Sequence, residues 1–247
     1  MRNAILFVVL TAISLTFTFY PQITYAIDIY TPNPENEVFT CSDFYMAIRP
    51  GITTVSTTRP TGSLHIVINK GERKLYLYND GKTFKEYLVA VGKAETPTPV
   101  GEWKIVSKGI WGEGFGTRWM GLNVPWGKYG IHGTNKPYSI GTYASHGCIR
   151  MFNRDVEELY SLVGIGTPVI IVGDYPHLTY STVKPGTASK DMLHVQKRLR
   201  ELGVYWGPID GRYGKMTEMA TIYFQLLNNE EADGIIDSSY YEILQLK

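Results

Sequence analysis

From Leu64 onward the chain alternates apolar and polar residues with a period of two. Leu64-His65-Ile66-Val67-Ile68-Asn69 predicts a strand, Lys70-Gly71-Glu72-Arg73 a turn, and Lys74-Leu75-Tyr76-Leu77-Tyr78-Asn79 the hairpin partner. Asp80-Gly81 turns into a third strand near residues 83–91. A hairpin is stable only when its apolar face packs, so these strands begin a sheet. His65 reads as a strand residue and nothing more. Thr96-Pro97-Thr98-Pro99-Val100-Gly101-Glu102-Trp103 is a turn that enters another strand. Between 107 and 129 the alternation fails. Gly109, Gly112, Gly114, Gly116, Gly121 and Gly127 are interspersed with Trp111, Trp119 and Trp126. Two readings stand: a mobile aromatic lid, or a long loop whose indoles fill the flank of the core.

Past residue 150 the period becomes helical. Asn153 is placed as an N-cap, Val156, Leu159, Tyr160 and Val163 share a face, and Gly164 is a stop. Pro168-Val169-Ile170-Ile171-Val172 reads as a buried strand. Residues 63–173 therefore form a mainly β domain with one short helix. The stretch 174–189, with Pro176, Pro185, Gly186 and several Ser and Thr, has the composition of a linker. Beyond it, Leu193, Val195, Leu199 and Leu202 precede Gly203. Met216, Met219, Ala220, Tyr223, Leu226 and Leu227 form a second stripe, read as core. Ser239 with Glu242 is placed as the cap of a third helix. Residues 190–247 are thus expected to be a small all-α, three-helix domain whose core is small.

The opposite end reads differently. Arg2, the largely apolar run Ala4 to Tyr20, the break at Pro21 and Thr24-Tyr25-Ala26 make residues 1–26 an expected export signal. An uncleaved membrane anchor is the alternative, because the run is near the lower spanning limit. An extended segment, 27–62, follows with no periodicity. Lys plus Arg number 24 and Asp plus Glu 23, a net charge of +1, which is no footprint for nucleic acid. Hydrophobic residues at 44% with 25 Gly and 13 Pro suit a strand- and loop-rich globular chain, and the 18 Tyr suit sugar or peptide ligands.

Candidate chemistry concentrates in one stretch, residues 130–151. It holds His132, His146 and Cys148, one of only two cysteines in the chain. A thiol is a poor nucleophile and a thiolate a strong one, and histidine titrates where it can take that proton. The reaction also needs a group to orient the base and donors for an oxyanion. Gly147 allows close backbone approach, so its N–H and that of Cys148 are placed as those donors. Two His and one Cys are also zinc-ligand types, but structural sites are usually four-coordinate with clustered pairs. A three-ligand catalytic zinc stays as an alternative, and no metal or cofactor is expected. A Cys41–Cys148 disulfide would abolish the thiolate, so Cys41 is read as a free structural thiol.

His132-Gly133, twelve residues, then Ser145-His146-Gly147-Cys148-Ile149-Arg150-Met151 resembles the signature of the bacterial L,D-transpeptidase catalytic domain of the YkuD type. The Thr96-Pro97-Thr98-Pro99-Val100-Gly101 segment resembles a second segment of that family. Residues 190–246, with Asp210-Gly211, Phe224-Gln225 and Asp233-Gly234, resemble the three-helix peptidoglycan-binding domain, although the usual Gly after the second helix is missing. The resemblance implies a β-sandwich-like catalytic fold. It implies Cys148 as nucleophile, His132 as general base and the Gly133 carbonyl as its orienting group. Ser145, His146 and Gly147 would line the pocket and oxyanion hole. Arg150, Trp119 and Tyr143 are candidate substrate contacts. The implied partners are peptidoglycan stem peptides and glycan, with carbapenem-type β-lactams as inhibitors. The implied reaction is release of D-Ala from a tetrapeptide stem and a 3→3 cross-link. L,D-carboxypeptidase activity, or a silent wall-binding scaffold, are the alternatives.

Overall fold

The computed structural model describes residues 60–247. The expected export signal, Cys41 and all but the end of the 27–62 segment lie outside the described residues. The period-two alternation produces β1 (Leu64–Asn69), β2 (Lys74–Asn79) and β3 (Lys82–Leu88). It places Ile66, Ile68, Leu75 and Leu77 wholly inside. The chain continues through β4 (Val91–Gly92), β5 (Gly101–Gly109), β6 (Trp119–Leu122), β7 (Tyr129–His132), β8 (Tyr143–Ser145) and β9 (Ile149–Arg150). Helix α1 (Asn153–Leu162) and β10 (Pro168–Val172) complete this domain. Eight strands form one curled mixed sheet in the order β3-β2-β1-β10-β5-β6-β7-β9, and β4 pairs with β8 separately. The β1–β10 and β7–β9 pairs are parallel. A single apolar core, from Ile66 and Leu77 to Ile131, Ile149, Val156 and Leu159, fills the curl.

The 107–129 stretch is not one loop. β5 runs to Gly109, a 3₁₀ turn spans Glu113–Phe115, and β6 follows. Trp119 is buried and Trp126 packs edge-on against Trp103, so two indoles fill the flank of the core, whereas Trp111 is partly exposed. Asn153 is not the cap of α1 but its first residue. Its side-chain oxygen instead accepts the Thr134 N–H at 3.0 Å. It serves the turn after His132 rather than its own helix.

The C-terminal region contains α2 (Asp191–Glu201), α3 (Lys215–Leu227) and α4 (Ser238–Ile243). Three expectations change here. The stretch read as a linker by composition is pinned in place. Val183 and Ile236 exchange backbone hydrogen bonds of 2.8 and 3.0 Å. The buried Asp191 carboxylate accepts the amides and hydroxyls of Thr179 and Ser181 at 2.7–2.9 Å. Burial pulls its carboxyl up, but those four donors outweigh burial and hold it below its ordinary value. The Ser and Thr that look like linker composition are donors to a buried charge.

Second, Met216, Met219, Tyr223, Leu226 and Leu227 of α3 face outward, 52–63% exposed, while Thr217, Ala220, Thr221, Phe224 and Gln225 are buried. The physical reason is hydrogen bonding. Gln225 Oε1 accepts the Gly234 N–H at 2.9 Å, and its Nε2 donates to Asp233 Oδ1 and Ile235 O at 2.8 and 3.2 Å. Gln196 of α2 repeats this on the other Asp-Gly turn. Its Oε1 accepts the N–H groups of Asp210 and Gly211, and its Nε2 donates to Asp210 Oδ1 and Arg212 O. Both turn glycines have φ near +70°, a conformation that favours glycine. Third, Asp237 rather than Ser239 caps α4, accepting the Tyr240 N–H at 3.1 Å.

The helices dock on the β domain. Leu193 and Ile209 belong to its apolar core. Arg200 grips the Glu102 carboxylate with two nitrogens at 2.5 and 2.8 Å, and the Ile209 N–H donates to the same carboxylate at 3.1 Å. Arg212 donates to Asn123 O at 2.6 Å. No helix among the described residues is long and apolar enough to cross a membrane.

Candidate active site

His132 ends β7 and is 3% exposed. Its Nδ1 lies 2.5 Å from Gly133 O. A carbonyl only accepts, so the proton sits on Nδ1 and the Nε2 lone pair is left for a donor. The turn that makes this contact is closely packed. A Cβ on Gly133 would meet Asn153 Oδ1 at 2.2 Å, and one on Gly116 would meet the Gly133 carbonyl carbon at 2.5 Å. Trp119 stacks on the imidazole at 5.7 Å, Phe115 meets it edge-on at 5.1 Å, and Trp111 lies parallel on Trp119 at 4.5 Å. Burial among these rings lowers the imidazole pKa to about 4. The Gly133 carbonyl opposes that shift, and the Arg150 charge adds to it. The ring is therefore neutral at pH 7.

The β7–β9 ladder sets the second group beside it. Ile131 pairs with Ile149 and His132 with Arg150. One step back, Cys148 falls opposite Gly130. The Gly130 backbone lies beside the thiol, so Cys148 comes close to the strand that ends at His132. At rest the thiol donates to Lys128 O at 3.9 Å rather than to the imidazole. Burial raises its pKa; the Gly130 backbone and the Arg150 charge pull it down. Thiol and imidazole are thus both neutral near pH 7. Catalytic hydrogen bonds commonly tighten only with substrate present.

The loop leading to the thiol is a closed ring. Ser145 Oγ accepts the Gly147 N–H at 3.0 Å and donates to Cys148 O at 2.5 Å. This corrects the expected oxyanion pair: the Gly147 N–H is already engaged. The Cys148 N–H has no acceptor among the described residues. Gly147 sits at φ +109°, and a Cβ there would strike the Tyr129 ring at 2.6 Å. Glycine is required both by conformation and by space.

Comparison with known proteins bears on this arrangement. Residues 63–171 match the family described as the L,D-transpeptidase catalytic domain, YkuD, and residues 188–244 match a peptidoglycan binding domain family. A Bacillus licheniformis protein carrying the name L,D-transpeptidase YkuD is 46% identical over 125 residues, which are 50% of this chain and 72% of that one. The chain belongs to the L,D-transpeptidase family. Its Bacillus subtilis namesake relative is 46% identical over 108 residues, 43% of this chain and 65% of that protein, so this chain spans just under two thirds of it. The solved catalytic domain of the Enterococcus faecium L,D-transpeptidase is 28% identical, with a TM-score of 0.40 over 44% of this chain and 97% of that one.

The remaining predicted residues of this member of the L,D-transpeptidase family are placed unequally. Arg150 is half-buried, and its backbone exchanges hydrogen bonds of 2.8 and 2.9 Å with Ala90. Among the described residues its guanidinium has no partner, so its charge is felt by the thiol and the imidazole. Trp119 is only 5% exposed, which makes it the wall behind His132 rather than a substrate contact. Tyr143 is exposed, with its hydroxyl 3.3 Å from Arg73 Nη1. His146 is exposed and lines a cleft of about 840 Å³ with Tyr129, Trp126 and Tyr143. No group of three or more His, Cys, Asp and Glu able to hold a metal occurs among the described residues. Sequence reasoning missed Tyr129, Phe115, the Gly130 backbone and the brace at Asn153. The Trp119…Gly121…Tyr129-Gly130 alternation of rings with glycines was the signal for the first and third.

Proposed function

We propose that this chain is a cysteine-dependent peptidoglycan L,D-transpeptidase, exported under the direction of residues 1–26. What supports the reading is the buried imidazole whose Nδ1 proton is held by Gly133 O, at the end of the strand whose Gly130 backbone lies beside the Cys148 thiol. The donor is a tetrapeptide stem. His132 Nε2 takes the Cys148 proton as Sγ bonds to the carbonyl carbon of residue three. The Cys148 N–H faces the developing oxyanion. The C–N bond to D-Ala breaks, and the imidazolium returns its proton to the departing amine. The thioester then meets the side-chain amine of a neighbouring stem. A new C–N bond forms, the amine proton passes to His132 and back to sulfur, and the C–S bond breaks. In this reading the Arg150 guanidinium, without a partner among the described residues, meets a carboxylate of the stem. Water in place of the amine makes the same cycle an L,D-carboxypeptidase.

The test is purified protein on disaccharide-tetrapeptide, read by mass spectrometry. The parent is expected to release D-Ala and to yield 3→3 dimers, and a carbapenem should add its mass at Cys148. Cys148→Ala should abolish all three. D-Ala release that survives in Cys148→Ala rejects the nucleophile. Free tripeptide without dimer assigns the hydrolytic outcome.

A further inference from the structure

The cleft beside the reactive loop is not built by the catalytic domain alone. One wall is the 92–100 loop together with Tyr129 and His146. The other includes Asp174 to His177 of the connecting segment and, from the C-terminal domain, Lys190 and Leu193. The 92–98 loop ties this cleft to the thiol. Lys93 N–H and Thr96 Oγ1 both donate to Ser145 O, at 3.1 and 3.2 Å. The Cβ position of Gly147, next to Cys148, lies 2.6 Å from the Tyr129 ring and 3.4 Å from Pro97 O. The cleft thus ends at the loop that carries the nucleophile.

Its two walls are held in register. The Arg200–Glu102 pair, the Ile209–Glu102 backbone contacts and the insertion of Leu193 and Ile209 into the β core fix α2 against β5. A tethered module would leave the walls free to drift apart; this one does not. The volume, about 840 Å³, is toward the upper end of the range of sites that bury a drug-sized ligand. The chemistry of the lining is cationic and aromatic. Lys70, Lys93 and Lys190 outnumber the carboxylates of Glu95 and Asp174, and Trp126 and Tyr129 supply flat apolar faces. Lys190 is exposed, at the start of α2, and is bonded through its side chain to nothing among the described residues.

We propose that the C-terminal domain is a wall of the substrate site, not merely an anchor. The cleft takes a sugar-linked peptide stem, with Lys190 meeting a stem carboxylate and Trp126 the apolar face of the sugar. The identity of the occupant rests on the reading of Cys148 given above. The observations that favour this occupant are continuity with the reactive loop and charge complementarity to the carboxylates of a stem.

The experiment uses the full chain carrying Cys148→Ala, so that ligand binds without turnover, and measures the Kd of disaccharide-tetrapeptide by calorimetry. Adding Lys190→Glu should weaken binding about tenfold, and Lys190→Arg should bind as the Cys148→Ala protein does. Lys184→Glu, an equal charge reversal on the neighbouring segment away from the cleft, should change nothing. Thermal unfolding verifies that each variant is folded; an acidic residue at a helix start is electrostatically favourable, so Lys190→Glu is expected to fold. Less than threefold weakening by Lys190→Glu, or no binding by the Cys148→Ala protein, overturns the proposal. Loss of D-Ala release and of the carbapenem adduct in the parent, with Lys190-dependent binding intact, sinks the transpeptidase reading and leaves the cleft.

Discussion

The two domains bury polar side chains in different ways. In the helical domain Gln196 and Gln225 each have their amide oxygen and nitrogen engaged by an Asp-Gly turn, and Asp191 accepts four hydrogen bonds. In the β domain His132 is just as buried, and its ring meets two backbone groups, Gly133 O at Nδ1 and the weaker Phe115 contact. The Cys148 N–H and the half-buried Arg150 guanidinium have no partner among the described residues. Unmatched buried polar groups cost stability, and both domains carry some: among the described residues Thr117 Oγ1 in the β domain and Thr221 Oγ1 and Tyr240 OH in the helical domain have no partner. The contrast is between glutamine amides engaged at both ends and an imidazole gripped chiefly at one nitrogen.

The largest effect should come from the imidazole. His132→Gln is expected to lower kcat/KM for D-Ala release roughly 10²–10⁴-fold, the scale of a general base, with little change in Tm. The pH profile of the parent sharpens this. Because burial lowers the imidazole to about 4, the base stays unprotonated well below its ordinary range. Activity should hold at pH 5 and fall only as pH drops through about 4; an acid limb at 6–7 would assign the base elsewhere.

A smaller effect, on stability instead of rate, should follow at the matched groups. Gln196→Ala leaves the Asp210 and Gly211 N–H groups and Arg212 O without their partner. Unfolding by urea should show a loss on the order of 3 kcal/mol, since each buried orphan costs roughly 1–3 kcal/mol. A loss below about 1 kcal/mol would mean water replaces the side chain and the contrast is weaker than drawn.

The smallest effect is expected on the outer face of α3. Met219 is 63% exposed. Met219→Ser should shift stability by no more than about 0.5 kcal/mol, as surface changes do. A loss of several kcal/mol would restore the core role that its spacing suggests.

That last residue shows where the chain is readable and where it is not. The strands of the β domain follow from strict alternation, as at Leu75 and Leu77, because one face of the hairpin is inside and the other is not. The Cys148 and His132 site is legible because its residue types are scarce and closely spaced. Helix α3 misleads because periodicity counts hydrophobicity and ignores hydrogen-bonding capacity. Thr217 and Gln225 turn inward to hydrogen-bond partners, and the methionines outward. Asn153 and the 174–189 stretch mislead for a related reason. Their side chains answer partners that folding supplies: the Thr134 N–H for Asn153, and the Asp191 carboxylate for Thr179 and Ser181. The engaged Gly147 N–H depends on a hydroxyl orientation that no spacing encodes.

Leu193 and Ile209 lie past the end of the catalytic stretch, yet they pack among Val100 and Trp103 in its apolar interior. The boundary between the two units in space is therefore not where it falls along the chain. Cutting the polypeptide after residue 173 removes these two side chains and uncovers a greasy scar over Trp103. A trimmed catalytic fragment should self-associate through that scar, and measurements made on it would describe an incomplete protein.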